Sequence, residues 1–314
     1  MTSFALVGLG KMGGNMARRL VRGGMEASLM DQDASVATAL AAELGASAAA
    51  DLPALVASLA PSTQAPRVVW LMLPSGDVTE QALQTVLPLL AKGDTIVDGA
   101  NSNYRDSVRR AALCEAAGVH FMDAGVSGGI HGLANGYCLM VGGSAQALQA
   151  VAPYLRVLAP GGGNEADGSA GWLHAGPAGA GHFTKMVHNG IEYGMMASLA
   201  EGLSLLRAKE AFGIDLAAVT ELWRHGSVVR SWLLDLTATA LKGDTALDAI
   251  APLVPDSGEG RWTAIESVDL GVPTPVMTMA LMSRFASQGQ DEYASKVLAK
   301  MRQGFGGHAV AVAK

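Results

Sequence analysis

The chain reads as an α/β protein: an N-terminal doubly wound parallel sheet of the Rossmann type over residues 1–176, followed by an all-α domain over residues 177–314 built around a long central helix. Three observations predict this. Short β-branched or apolar runs alternate with longer helical patterns through the first half. A glycine-rich loop follows the first of those runs. From Ala178 onward the strand pattern disappears.

Runs at 4–8, 27–31, 68–73, 95–98 and 120–125 predict five strands, and 137–142 a sixth. A helix over 15–22 follows the glycine loop and completes the first βαβ unit. Gly161-Gly162-Gly163 and the Gly/Ala/Pro-rich stretch over 168–181 mark the point where sheet gives way to helices. The segment over 178–209 is apolar on nearly every face, as in a helix at the centre of a domain or an interface. Shorter helices are predicted over 216–224, 231–241, 262–270, 273–286 and 292–303, with Met186, Met195, Met196 and Trp223 as core.

At 314 residues, two domains are expected. With 50% hydrophobic and 16% charged residues, the chain demands extensive burial, inside itself or against another subunit. A formal net charge of -6 excludes a broad electrostatic attraction to nucleic acid or an anionic membrane. Cys114 and Cys138 have no metal-ligand spacing and no disulfide framework, so two core thiols in a reducing cytoplasm are expected. The apolar start over 4–7 runs into the glycine loop without a basic leader and reads as a strand, and no segment supplies the ~18 apolar residues of a membrane span. The histidines His120, His131, His174, His182 and His225 lack ligand patterns such as H-E-x-x-H, so no metal site is expected.

Gly8-Leu9-Gly10-Lys11-Met12-Gly13 matches G-x-G-x-x-G between a strand and a helix. The first glycine permits the tight turn, the second lets a pyrophosphate approach the backbone, and the third lets helix and strand pack. Asp31 closes the second strand, where a carboxylate can accept hydrogen bonds from a ribose. Asp31-Gln32-Asp33 holds two negative charges and no arginine, which favours NAD over NADP. Asp31 is also a possible helix N-cap, and the spacing leaves open which of Asp31 and Asp33 meets the ribose. Leu73, at the end of the third run, joins the expected cofactor-binding set.

Lys185, His188, Asn189, Glu192 and Tyr193 occupy positions i, i+3, i+4, i+7 and i+8 of the central helix and form one polar stripe. Each has a bland explanation: a buried Lys-Glu ion pair, a hydrogen-bonded core histidine, a packing asparagine. A shared face together with a cofactor loop favours acid-base chemistry, with Lys185 and Glu192 as the pair.

These segments, with Val97-Asp98-Gly99-Ala100-Asn101-Ser102, Val126-Ser127-Gly128-Gly129 and above all the run over 181–194, resemble 6-phosphogluconate dehydrogenase, the decarboxylating enzyme within the β-hydroxyacid dehydrogenase superfamily. The likeness spans nearly the whole chain, which is too short for the extra helical block of long members and resembles the short bacterial-type form. It implies NAD-dependent oxidation and decarboxylation of 6-phosphogluconate to ribulose 5-phosphate, with Lys185 as general base and Glu192 as general acid. By the same resemblance Ser127, Gly128, Gly129, His188 and Asn189 hold the substrate, Asn101 lies between cofactor and substrate, and Tyr193 and Arg284 meet the phosphate. It implies a homodimer or higher homo-oligomer in which Arg302 and His308 of a C-terminal tail complete a neighbour's site. One departure stands out: where long enzymes have a lysine and a threonine, this chain has Ser257-Gly258-Glu259. That keeps open a β-hydroxyacid dehydrogenase for a smaller or unphosphorylated acid, of the gluconate or 3-hydroxyisobutyrate type. A non-enzymatic NAD-sensing Rossmann protein is the remaining alternative, although a sensor has no need of Lys185 with Glu192.

Overall fold

The computed structural model describes residues 3–59, 66–306 and 309–311. They fall into two compact units, Met1–Met186 and Val187–Lys314.

The first unit alternates strands and helices: β1 (Ser3–Val7), α1 (Lys11–Arg22), β2 (Glu26–Met30), α2 (Ala34–Leu44), β3 (Ser47–Ala48), α3 (Leu52–Ser58), β4 (Val68–Leu71), α4 (Asp77–Val86), β5 (Thr95–Asp98), α5 (Tyr104–Ala116), β6 (His120–Ser127), α6 (Gly132–Asn135), β7 (Cys138–Gly143), α7 (Ala145–Leu158) and β8 (Trp172–Gly176). The strands form one sheet in the order β3-β2-β1-β4-β5-β6-β7-β8. Strand alternation sorts the side chains between two cores. Phe4, Leu6, Val68 and Trp70 pack with Met16 and Leu20 of α1 and Leu155 of α7. Ala5, Val7, Val69 and Leu71 face Leu55 of α3, Leu83 of α4 and Cys114 of α5. Because β1 lies between β2 and β4, the strand order reverses there and opens a crevice at the strand ends.

Three features of the sheet depart from the sequence reading, the first being β3, a two-residue strand paired with β2 outside every predicted run. β7 runs antiparallel to β6, because the short connection between them cannot make the long crossover that a parallel neighbour needs. A further strand, β8, pairs parallel with β7 inside the Gly/Ala/Pro-rich stretch read as the end of the sheet. The expectation of two core thiols holds for Cys114, which is buried and pushed up to about 12 by desolvation, and fails for Cys138, which is exposed at the start of β7.

The helix α8 (Ala180–Ala208) is 29 residues long. In the second unit follow α9 (Leu216–Trp223), α10 (Trp232–Leu241), α11 (Glu259–Asp269), α12 (Pro275–Ser287) and α13 (Glu292–Gly306). Asp215 and Ser231 cap α9 and α10 with side-chain oxygens, and Pro275 opens α12 where its missing N–H is harmless. The core of this unit is small: Tyr193, Ala280 and Leu281 form one cluster, with Ala197, Ala264 and Phe285 against them, and Leu216, Leu234, Ala238 and Leu241 of α9 and α10 are buried as well. Met186 is buried and Trp223 partly so, but Met195 and Met196 are exposed rather than core. α8 has more apolar faces than this small core covers.

Candidate active site

The glycine turn is built by close approach. A Cβ on Gly13 would stand 1.9 Å from the Gly8 carbonyl oxygen, and one on Gly8, whose φ is +90, 2.3 Å from that of Met72. Gly10 instead has nothing within 4 Å of where a Cβ would be, so its face is open. α1 begins there with no side-chain cap and no acidic residue in its first turn, leaving its N–H groups for an anion. The turn borders a cleft of about 890 Å³, also lined by Lys11, Met12, Asp31, Gln32, Leu73 and Asn101. Its volume and its uncapped helix suit a dinucleotide.

Asp31 and Asp33 divide their work. Asp31 Oδ2 accepts from the Leu9 N–H at 2.6 Å and Oδ1 from the Asp33 N–H at 3.0 Å, which ties the glycine turn to the end of β2. Asp33 is the N-cap of α2: one oxygen accepts from the Ser35 hydroxyl at 2.6 Å and its N–H at 2.9 Å, bonds that hold the carboxyl below its ordinary range. Capping therefore belongs to Asp33, and Asp31 faces the cleft.

The far walls of the cleft are fixed by a residue the sequence reading missed. Arg110, on α5 and 1% exposed, donates from Nη1 to Asp98 Oδ2 at 2.8 Å and Ser102 Oγ at 3.0 Å. Its Nε reaches Glu80 Oε2 at 2.8 Å and its Nη2 the Gly76 carbonyl at 3.2 Å. One guanidinium thus braces the loops after β4 and β5. Nothing in the sequence separates Arg110 from its neighbour Arg109, which binds Glu80 from the surface. The Arg109 hydrogen bond is the largest influence on Glu80, lowering it to about 2. Beside this network Asn101 adopts φ +51, an uncommon conformation for a side-chain-bearing residue. Its Oδ1 accepts from the Val126 N–H at 2.9 Å and its Nδ2 donates to the Val126 carbonyl at 3.3 Å. Asn101 therefore links a cleft wall to the end of β6, next to Ser127. Gly128 and Gly129 follow at φ +130 and +52.

Lys185 is 5% exposed, and its stem lies so close to β6 that a Cβ on Gly125 would fall 2.4 Å from Lys185 Cβ. Beneath the start of α8, Asp123 is fully buried, and desolvation pushes its carboxyl up while the His182 ring opposes that. His182 Nδ1 lies 2.7 Å from Ser107 Oγ.

Along the same helix, Asn189 is 9% exposed and its Oδ1 lies 3.0 Å from His188 Nδ1. His188 and Glu192 are half-buried. Tyr193 is buried, its hydroxyl 3.0 Å from Ser257 Oγ and accepting from the Ser257 N–H at 3.2 Å. The Arg284 guanidinium stacks on the Tyr193 ring at 3.4 Å and donates to the Pro255 carbonyl at 2.9 Å. Tyr193 and Arg284 thus form one cluster. Ser257 Oγ also donates to Glu259 Oε2 at 2.6 Å, and Arg261 is paired with Asp256 at 3.0 Å. Arg302 stands exposed on α13, and His308 lies outside the described residues. Among the described residues, no group of three or more His, Cys, Asp or Glu side chains could hold a metal ion. No described helix is long and apolar enough to cross a membrane.

An open sheet with a crevice at its strand-order reversal, a glycine turn opening an uncapped helix, and an acidic residue ending β2 define a dinucleotide-binding protein of the dehydrogenase class. Residues 3–165 match the NAD binding domain of 6-phosphogluconate dehydrogenase, and residues 181–311 match the 6-phosphogluconate dehydrogenase C-terminal domain. The chain belongs to the 6-phosphogluconate dehydrogenase family of oxidoreductases. It is 42% identical over 304 residues to a Bacillus subtilis (strain 168) protein provisionally named 6-phosphogluconate dehydrogenase YqeC, covering 97% of each chain. It is 37% identical over 307 residues to the NAD(+)-dependent, decarboxylating 6-phosphogluconate dehydrogenase of Haloferax volcanii, covering 98% of this chain and 97% of that one. Among solved structures, Plasmodium falciparum 6-phosphogluconate dehydrogenase superposes with a TM-score of 0.81 at 28% identity, over 99% of this chain and 66% of that chain.

Proposed function

We propose that the chain catalyses the NAD-dependent oxidative decarboxylation of 6-phosphogluconate to ribulose 5-phosphate. The observation that carries this reading is Lys185: a buried amine held over β6, in the unit that contains the dinucleotide cleft, on the helix that also bears His188, Asn189 and Glu192. The Haloferax volcanii relative, named as NAD(+)-dependent and decarboxylating, supports the same reaction, and the Plasmodium falciparum enzyme, named with 6-phosphogluconate as substrate, supports the sugar acid.

When bound, the dinucleotide supplies the hydride acceptor. In its uncharged form Lys185 is the general base and takes the proton of the substrate hydroxyl. The resulting ammonium then donates to the new keto oxygen and draws electrons from the breaking carbon-carboxylate bond. Glu192, seven residues on along the same face, protonates the enediol. Ser127, Gly128, Gly129, His188 and Asn189 hold the sugar acid, and Tyr193 with Arg284 receives its phosphate. Asp31, with Gln32 beside it and no arginine, supports NAD over NADP.

The uncovered apolar surface of the helical unit supports a homodimer or higher homo-oligomer, with the tail residues Arg302 and His308 completing a neighbour's site. Purified protein given 6-phosphogluconate should release NADH and carbon dioxide together, with a higher kcat/KM for NAD than for NADP. Oxidation without carbon dioxide would overturn the decarboxylation. A second reading, an unphosphorylated acid such as gluconate, is favoured by one observation: Glu259 lies against Ser257 beside Tyr193. A higher kcat/KM for gluconate than for its 6-phosphate would establish it.

A further inference from the structure

We propose that Asp123 is a positioning residue for Lys185, seating the first turn of α8 directly on the backbones of β6 and β7. The inference rests on reading Lys185 as the proton acceptor.

The seat is built of hydrogen bonds and missing side chains. Asp123 points both carboxylate oxygens at the start of α8: Oδ1 accepts from the Gly179 N–H at 2.6 Å and Oδ2 from the His182 N–H at 2.7 Å. Helix N-termini leave such donors unsatisfied, and a carboxylate there also meets the positive end of the helix dipole. Three glycines let helix and sheet approach closely. A Cβ on Gly181 would lie 2.5 Å from the Met140 carbonyl oxygen and 2.7 Å from that of Asp123. One on Gly142 would lie 2.7 Å from Asp123 Oδ1, and one on Gly125 would strike Lys185 itself at 2.4 Å.

Lys185 follows Gly181 by one helical turn, so it shares the face that meets the sheet. The base of the Lys185 side chain is therefore placed by backbone lying on backbone, against Gly125, two residues before Ser127 at the end of β6. Displacing a reacting group by about 1 Å can lower turnover about 100-fold. The glycine turn and Asp31, which line the dinucleotide cleft, lie at β1 and β2, neither of which neighbours β6 in the sheet.

The test compares Asp123→Asn and Gly125→Ala with the unmutated enzyme, measuring kcat and the KM for NAD. In each variant kcat should fall roughly 100-fold while the KM for NAD stays within about twofold. A folded variant of either kind that keeps kcat within about twofold of the unmutated enzyme overturns the proposal. Lys185→Met is run in parallel. If it retains turnover, the general-base reading fails; if it is inactive while Asp123→Asn is active, only the seat fails. Should both seat variants fail to fold, amide hydrogen exchange in the unmutated protein decides. Slow exchange at Gly179 and His182 supports the seat, and exchange at the rate of an exposed loop overturns it.

Discussion

In the sheet unit the buried Arg110 is paired with Asp98 and Glu80, whereas the helical unit leaves several large apolar side chains uncovered. Arg110 and Asp98, 1% and 0% exposed, close one network with Ser102 and Glu80. Val268 and Met279, on α11 and α12, are 79% and 63% exposed, and Leu205 on α8 is 74% exposed. A buried charge must find its partner within the fold or the fold fails. An exposed apolar face can wait for another copy of the chain. The helical unit thus leaves apolar surface that the proposed oligomer would cover.

The largest effect should come from removing the proposed base. Lys185→Met should lower kcat by about 1000-fold or more in steady-state assays. Its melting temperature should stay close to that of the parent, which separates chemistry from folding.

Next comes the buried network. Arg110→Met takes the buried cationic partner from Asp98 and should destabilise the protein by about 3–5 kcal/mol in urea unfolding. The corresponding change in the helical unit, Arg224→Met, breaks solvent-screened pairs with Glu221 and Asp235 and should alter stability far less than Arg110→Met. Equal effects would erase the contrast between the units.

Smaller again is the surface effect. Val268→Glu with Met279→Glu should weaken self-association at least about tenfold in sedimentation, since two charges would have to be desolvated in the contact. Turnover should fall with the loss of oligomer. At the cleft, Asp31→Ser should weaken NAD binding by about tenfold, the equivalent of one or two hydrogen bonds, and narrow the preference over NADP.

The smallest effect should be on acid stability. Glu80 is depressed from its ordinary value of 4.5 to about 2 by the Arg109 hydrogen bond. Its contribution is therefore complete above pH 4.5 and lost as the pH falls toward about 2. Arg109 is 49% exposed, so solvent screens part of this. Glu80→Gln should flatten that portion of the stability curve in acid titration.

The sheet was legible because alternation repeats in every central strand, with Phe4 and Leu6 facing one core and Ala5 and Val7 the other. The stripe from Lys185 to Tyr193 was legible because helical spacing is fixed by geometry. β8 was not, since its glycine-rich stretch becomes a strand only by pairing with β7. Nor was the role of Asp123, whose partners Gly179 and His182 lie far along the chain. Met195 and Met196 look like core by type, and only the extent of cover shows that they are exposed.

By itself the sequence determined the glycine turn, the strand and helix periods and the order of residues along α8, because each depends on near neighbours. Tertiary structure decided that Asp33 caps while Asp31 faces the cleft, that Arg110 braces two loops, and that Lys185 rests on a bare patch of sheet. Those outcomes depend on which distant groups satisfy a buried donor, acceptor or charge, and chain spacing carries no record of that.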